Sequence, residues 1–153
     1  MSRTRRFVAC FALALIFAGN FANSAARGEE TAVHKVALHV NDNDKRRMTI
    51  TLNNAENIYK YYASKGQKVM VRIVAYNAGL HMFRGDTSPV KERIAQMALQ
   101  YDGLSFAACG NTYRKMSKKE GKKFPLIDEA KVVPSGVIEL IELQEQGWAY
   151  VKP

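Results

Sequence analysis

Short apolar runs alternate with longer segments of helical period along most of this chain, and that alternation limits the fold more than any other feature. Val33 to Val40 is an apolar run with few polar breaks, suited to a buried strand. Asn41-Asp42-Asn43-Asp44 then offers several turn and helix-capping side chains. Met48, Leu52, Ala55, Tyr59 and Tyr62 recur at helical spacing and predict one apolar helix face, which Gly66 ends. Lys68 to Tyr76 reads as a second strand, with a turn over Asn77-Ala78-Gly79-Leu80-His81. Ser88-Pro89 predicts a helix start, with Val90, Ile94, Met97 and Tyr101 along one face. Asp102-Gly103 breaks that helix, and Leu104 to Ala108 is a third strand. A short helix from near Asn111 leads into a loop through Phe124 and Pro125, and Lys131-Val132-Val133 suits a short fourth strand. Pro134-Ser135 opens a last helix with Val137, Leu140 and Ile141 on one face, widened by Ile138. Gly147 closes it before a final strand, Trp148 to Val151.

Strands that alternate with helices need crossover connections, and crossovers make parallel sheets covered by helices. The expected fold is a single three-layer α/β domain, a mostly parallel sheet with helices on both faces. No internal repeat, low-complexity tract or linker interrupts it.

The start of the chain reads differently. Arg3, Arg5 and Arg6 precede an apolar run from Phe7 to Ala18, and small residues follow at Ser24, Ala25 and Ala26. That is the pattern of a secretory signal peptide over residues 1–26, with the mature domain at 27–153 and a bacterial periplasm as its expected location. The run is shorter than the ~20 residues a membrane-spanning helix needs, and no later segment is long and apolar enough, so no stable membrane insertion is expected. Losing three arginines takes the net charge from +9 to about +6. Much of the excess lies between Arg114 and Lys123. Nucleic-acid binding would call for interleaved stacking aromatics or a recognition motif, and neither occurs. A solvated surface explains the stretch, and docking of an acidic partner is the second explanation.

Removal of the signal takes Cys10 with it and leaves Cys109 as the one cysteine, with no partner for an intramolecular disulfide. Three strand ends carry polar residues: His39, Asn41 and Asp42; Asn77, Gly79 and His81; and Cys109, Gly110, Asn111 and Thr112. Ligands in open parallel sheets gather at such carboxyl ends. If a helix begins just after Cys109, free N–H groups and the helix dipole favour its thiolate, and Gly110 lets a ligand or a partner's sulfur come close. Two readings of Cys109 stand side by side: a reactive group, or small-residue packing with Ala107 and Ala108. His39 and His81 suit hydrogen-bonded structure or surface. No His or Cys pair has metal-ligand spacing, no Cys-x-x-Cys occurs, and neither a phosphate-binding glycine loop nor a Gly-x-Ser-x-Gly turn is present. No metal and no cofactor is expected.

Several stretches together resemble the DsrE/DsrF-like family. They are Val36 to Val40 with its acidic turn, Leu52-Asn53-Asn54-Ala55-Glu56-Asn57, Val74-Ala75-Tyr76-Asn77-Ala78-Gly79-Leu80, Phe106-Ala107-Ala108-Cys109-Gly110-Asn111-Thr112, and Val132-Val133-Pro134-Ser135-Gly136-Val137 with Gln146-Gly147-Trp148. The resemblance implies a three-layer α/β fold that forms homo-oligomers. In the family's sulfur-relay members a strand-end cysteine carries sulfur as a persulfide passed between proteins, and Cys109 occupies the matching position. Asn77 and Gly79 match a second strand-end loop that resembles a pocket wall, with Gly110, Asn111 and Thr112 beside the cysteine. The implied function is a periplasmic carrier that binds or relays sulfur on Cys109 with a thiol or persulfide-carrying partner. The alternative is a non-catalytic oligomeric binding module with a structural cysteine.

Overall fold

The computed structural model describes residues 33–153; the signal peptide expected over residues 1–26 lies outside the described residues. Five strands and four α-helices alternate as β1 (His34–Val40), α1 (Lys45–Ser64), β2 (Val69–Ala75), α2 (Lys91–Gln100), β3 (Leu104–Cys109), α3 (Gly110–Glu120), β4 (Ala130–Val133), α4 (Gly136–Glu145) and β5 (Ala149–Val151). All five strands are parallel, in the order β4-β3-β2-β1-β5. The α/β expectation holds, and the sheet is wholly rather than mostly parallel.

That order decides where the helices go. Right-handed crossovers that step in one direction, β1 to β2 to β3 to β4, put α1, α2 and α3 on one face. The last crossover runs back to the far side of β1, so α4 covers the opposite face. The buried residues divide accordingly. Leu38, Val71, Ile73 and Phe106 pack with Met48, Leu52, Ile94 and Met97 on the first face. Ala37, Val74 and Ala107 pack with Leu140, Leu143 and Trp148 on the second. Coverage is uneven, three helices against one, and α4 leaves Val137, Ile138 and Ile141 about half exposed (49%, 48% and 45%).

Local chemistry sets the boundaries. Of the four capping candidates before α1, Asp44 serves, its Oδ1 accepting from the Arg46 N–H at 2.8 Å. Gly66 follows the helix at φ +67°, a conformation glycine takes without a Cβ penalty. Two expectations shift. The turn after β2 is a seven-residue 3-10 helix, Asn77–Phe83, because Leu80, Met82 and Phe83 all turn into the core. The helix expected from Ser88-Pro89 begins at Lys91. The Ser88 hydroxyl donates to the Met82 carbonyl at 2.6 Å and accepts from Val90 N–H, which ties it to the preceding loop.

Candidate functional site

In a doubly covered parallel sheet, the crevice lies where neighbouring strands send their connections to opposite faces. Here that is the junction of β3 and β4, since α3 leaves β3 on one face and α4 leaves β4 on the other. Cys109 is the last residue of β3, the N-cap of α3, and 4% exposed. The expected strand therefore runs one residue further than Ala108.

Both helices deliver N–H groups to the Cys109 sulfur. Burial pushes the thiol up, and the Thr112 hydroxyl together with the backbone N–H groups of Gly136, Thr112 and Asn111 more than offsets it. The thiol lies below its ordinary value as a result. Thr112 is itself held, because its Oγ1 accepts from Asn77 N–H at 3.0 Å. A hydroxyl has two acceptor lone pairs and one proton, so this bond leaves the proton for the sulfur. Asn77 reaches that position with φ +48°, a left-handed conformation that asparagine tolerates better than most residues. A run of donors therefore connects the end of β2 to the sulfur at the end of β3.

The sulfur opens on a cavity of about 210 Å³ lined by Tyr76, Asn77, Cys109, Asn111, Thr112 and Lys115 with Ser135 and Val137 of the α4 start. A second cavity of about 380 Å³, bounded by Asn43, Ala78, His81 and Met116, shares Asn77, Thr112 and Lys115 with it. Four of the six residues expected at the site thus line the cysteine cavity: Cys109, Asn77, Asn111 and Thr112. Gly79 and Gly110 do not line it, and both sit where backbones approach. A Cβ on Gly79 would lie 2.4 Å from the Val40 oxygen, and one on Gly110 would lie 2.9 Å from the Val133 oxygen.

Two contributors were not marked by the sequence. Gly136 brings its N–H to the sulfur because a Cβ there would lie 3.0 Å from Tyr76 and 3.2 Å from the Cys109 Cβ. Tyr76 forms the wall between Cys109 and His39, whose ring stacks on it at 4.5 Å. His39 Nδ1 bonds the Tyr150 hydroxyl at 2.7 Å, while its buried Nε2 has no partner. Burial, then the nearby Lys152 cation, hold His39 below its usual value against the opposing pull of Asp42. His81 Nε2 is engaged with the Thr87 carbonyl at 3.0 Å. Among the described residues no cluster of His, Cys, Asp and Glu could hold a metal ion, and no helix is long and apolar enough to cross a membrane.

The chain is similar to a solved protein of unknown function from Methanobacterium thermoautotrophicum. The two are 29% identical, with a TM-score of 0.67, over 78% of this chain and 99% of that one. No curated protein matches the chain. The model of the DsrE/DsrF-like family matches residues 22–153, which include every element and site residue described above. The chain belongs to the DsrE/DsrF-like family.

Proposed function

We propose that this protein is a periplasmic sulfur carrier that holds sulfane sulfur as a persulfide on Cys109 and passes it to a thiol on a partner protein. Family membership suggests a role of the sulfur-relay type. The observation that carries the finer reading is the set of donors aimed at one sulfur: the Thr112 hydroxyl and the N–H groups of Gly136, Asn111 and Thr112. Such donors stabilise a thiolate, and a persulfide anion formed on it meets the same positive helix ends.

The chemistry balances without an outside oxidant. The Cys109 thiolate attacks the outer sulfur of a persulfide R–S–SH, the S–S bond of the donor breaks, and R–S⁻ leaves. Cys109–S–SH results, and a partner thiolate reverses the step onto itself. The exposed apolar residues of α4, Val137, Ile138 and Ile141, suit contact with a second copy, so the carrier is read as a homo-oligomer. Intact-mass measurement after treatment with glutathione persulfide tests the proposal. Gain of one sulfur atom, removed by dithiothreitol and absent in Cys109→Ser, is expected; no gain overturns it.

A second reading has one observation in its favour, the 4% exposure of Cys109. There the cysteine is packing, and the same strand ends bind a small ligand or a partner without chemistry. Cys109→Ser would then leave function intact in a strain that lacks the native gene.

A further inference from the structure

Helix α3 starts at the sulfur and leads away from it as a positively charged ridge. Arg114, Lys115, Lys118 and Lys119 on the helix, and Lys122 and Lys123 just past its end, are all exposed, and none of them is in an ion pair among the described residues. The helix's one acidic residue, Glu120, is taken by Arg84, which also holds Asp86. Arg114 stacks above Lys118 and Lys115 above Lys119 at i,i+4 spacing, where like charges repel. The carboxyl end of a helix dipole favours Lys118 and Lys119, but that explanation does not reach Arg114 and Lys115, which lie in the first half. Lys115 moreover lines both cavities at the site.

We infer that this ridge is the docking track for an acidic protein partner, whose reactive thiol it leads to Cys109. The inference rests on the persulfide reading of that cysteine and names the partner's surface. Uncompensated charge on a rigid helix beside a recessed reactive atom raises the local concentration of an oppositely charged partner and orients it. The recessed sulfur requires the partner to present its thiol on a narrow projecting segment. An anionic membrane is the weaker complement, because the apolar residues of α3, Tyr113 and Met116, pack inward on the core and leave none to insert. A second copy is weaker too, since the chain without its signal carries a net charge of about +6.

The test uses two synthetic peptides of equal length, one rich in Asp and Glu and one of Ser and Gly. Each carries a single cysteine activated as its thionitrobenzoate mixed disulfide. Cys109 should react with the acidic peptide on the order of tenfold faster at low salt, with the advantage lost near 0.5 M salt. Lys118→Glu/Lys122→Glu should abolish the advantage. Lys65→Glu/Lys68→Glu changes the charge equally beside the start of β2, at the opposite end of the strands from Cys109, and should keep it. Equal rates for the two peptides, or loss of the advantage in both variants alike, overturn the ridge. So does association with phosphatidylglycerol vesicles accompanied by no peptide preference. A small uncharged disulfide, dithiodipyridine, keeps the two claims apart: if it fails to modify Cys109, the persulfide reading fails. Anisotropy of the labelled acidic peptide on Cys109→Ser protein still reads the ridge, which a missing Lys118/Lys122 dependence would overturn.

Discussion

The backbone N–H of Gly136, the first residue of α4, is directed at the sulfur of Cys109, the last residue of β3. A helix, a loop and a strand separate the two in the chain, and the parallel pairing of β3 with β4, whose following helices leave to opposite faces, brings them together. The Cys109 sulfur therefore lies between two helix starts, and their N–H groups with the Thr112 hydroxyl hold the thiol below its ordinary value.

Thr112 gives the cleanest perturbation of that arrangement. Thr112→Val removes the hydroxyl that offsets the burial of Cys109 and leaves the helix N–H groups in place. The thiol should titrate at higher pH, and alkylation by iodoacetamide at neutral pH should slow several-fold. Thr112→Ser restores the hydroxyl and should restore the rate. Equal rates in all three proteins would remove Thr112 from the account.

Gly79 is expected to be structural. A Cβ on it would lie 2.4 Å from the Val40 oxygen and 2.8 Å from the Asn41 Cα, both backbone atoms that cannot swing away. Gly79→Ala should destabilise the fold by about 3 kcal/mol, the upper end of what overpacking costs. Urea unfolding followed by circular dichroism measures it.

His39 makes the fold sensitive to mild acid. Its folded value is depressed below 6.5, first by burial and then by Lys152. Between that depressed value and 6.5 the unfolded chain binds more protons than the folded one, so stability rises with pH there. The contribution is fully present above 6.5 and is lost as pH falls through the folded value. Urea midpoints taken from about pH 7.5 down to about 5 should fall, with a shallower fall in His39→Gln.

The α4 surface predicts association. Ile138→Asp/Ile141→Asp places charge on a face that is half exposed in the single chain, where charge costs the fold little. Sedimentation should show the wild type as an oligomer and the variant as a monomer of unchanged circular dichroism. An unchanged sedimentation coefficient would assign assembly to another surface.

The strands and helices were legible because each follows from local chemistry. Val69, Val71 and Ile73 make a strand wherever it is placed, and Asp44 caps a helix that begins beside it. Sheet order was not legible, because it depends on which strand edges pair. With it went the uneven coverage of the faces and the convergence of α3 and α4 on Cys109. Thr112 could be singled out beside Cys109, whereas Gly136 and Tyr76 could not, since both owe their position to the sheet. The clue to Gly136 was a glycine just after Pro134-Ser135, where a helix starts and a side chain is normally harmless. Arg84 was missed also. Its guanidinium is buried, fixed by Asp86 and Glu120 and covered by the Phe124 ring at 4.0 Å, and the only local sign was Gly85-Asp86 after an apolar run.

The central claim is that Cys109 is held ready as a thiolate, and the pH dependence of its alkylation tests that most directly. The rate of iodoacetamide modification of the folded wild-type protein should rise through an inflection below the ~8.5 of a free cysteine. An inflection at or above that value, or a thiol that reacts only after the protein unfolds, would contradict the account and make Cys109 a packed residue.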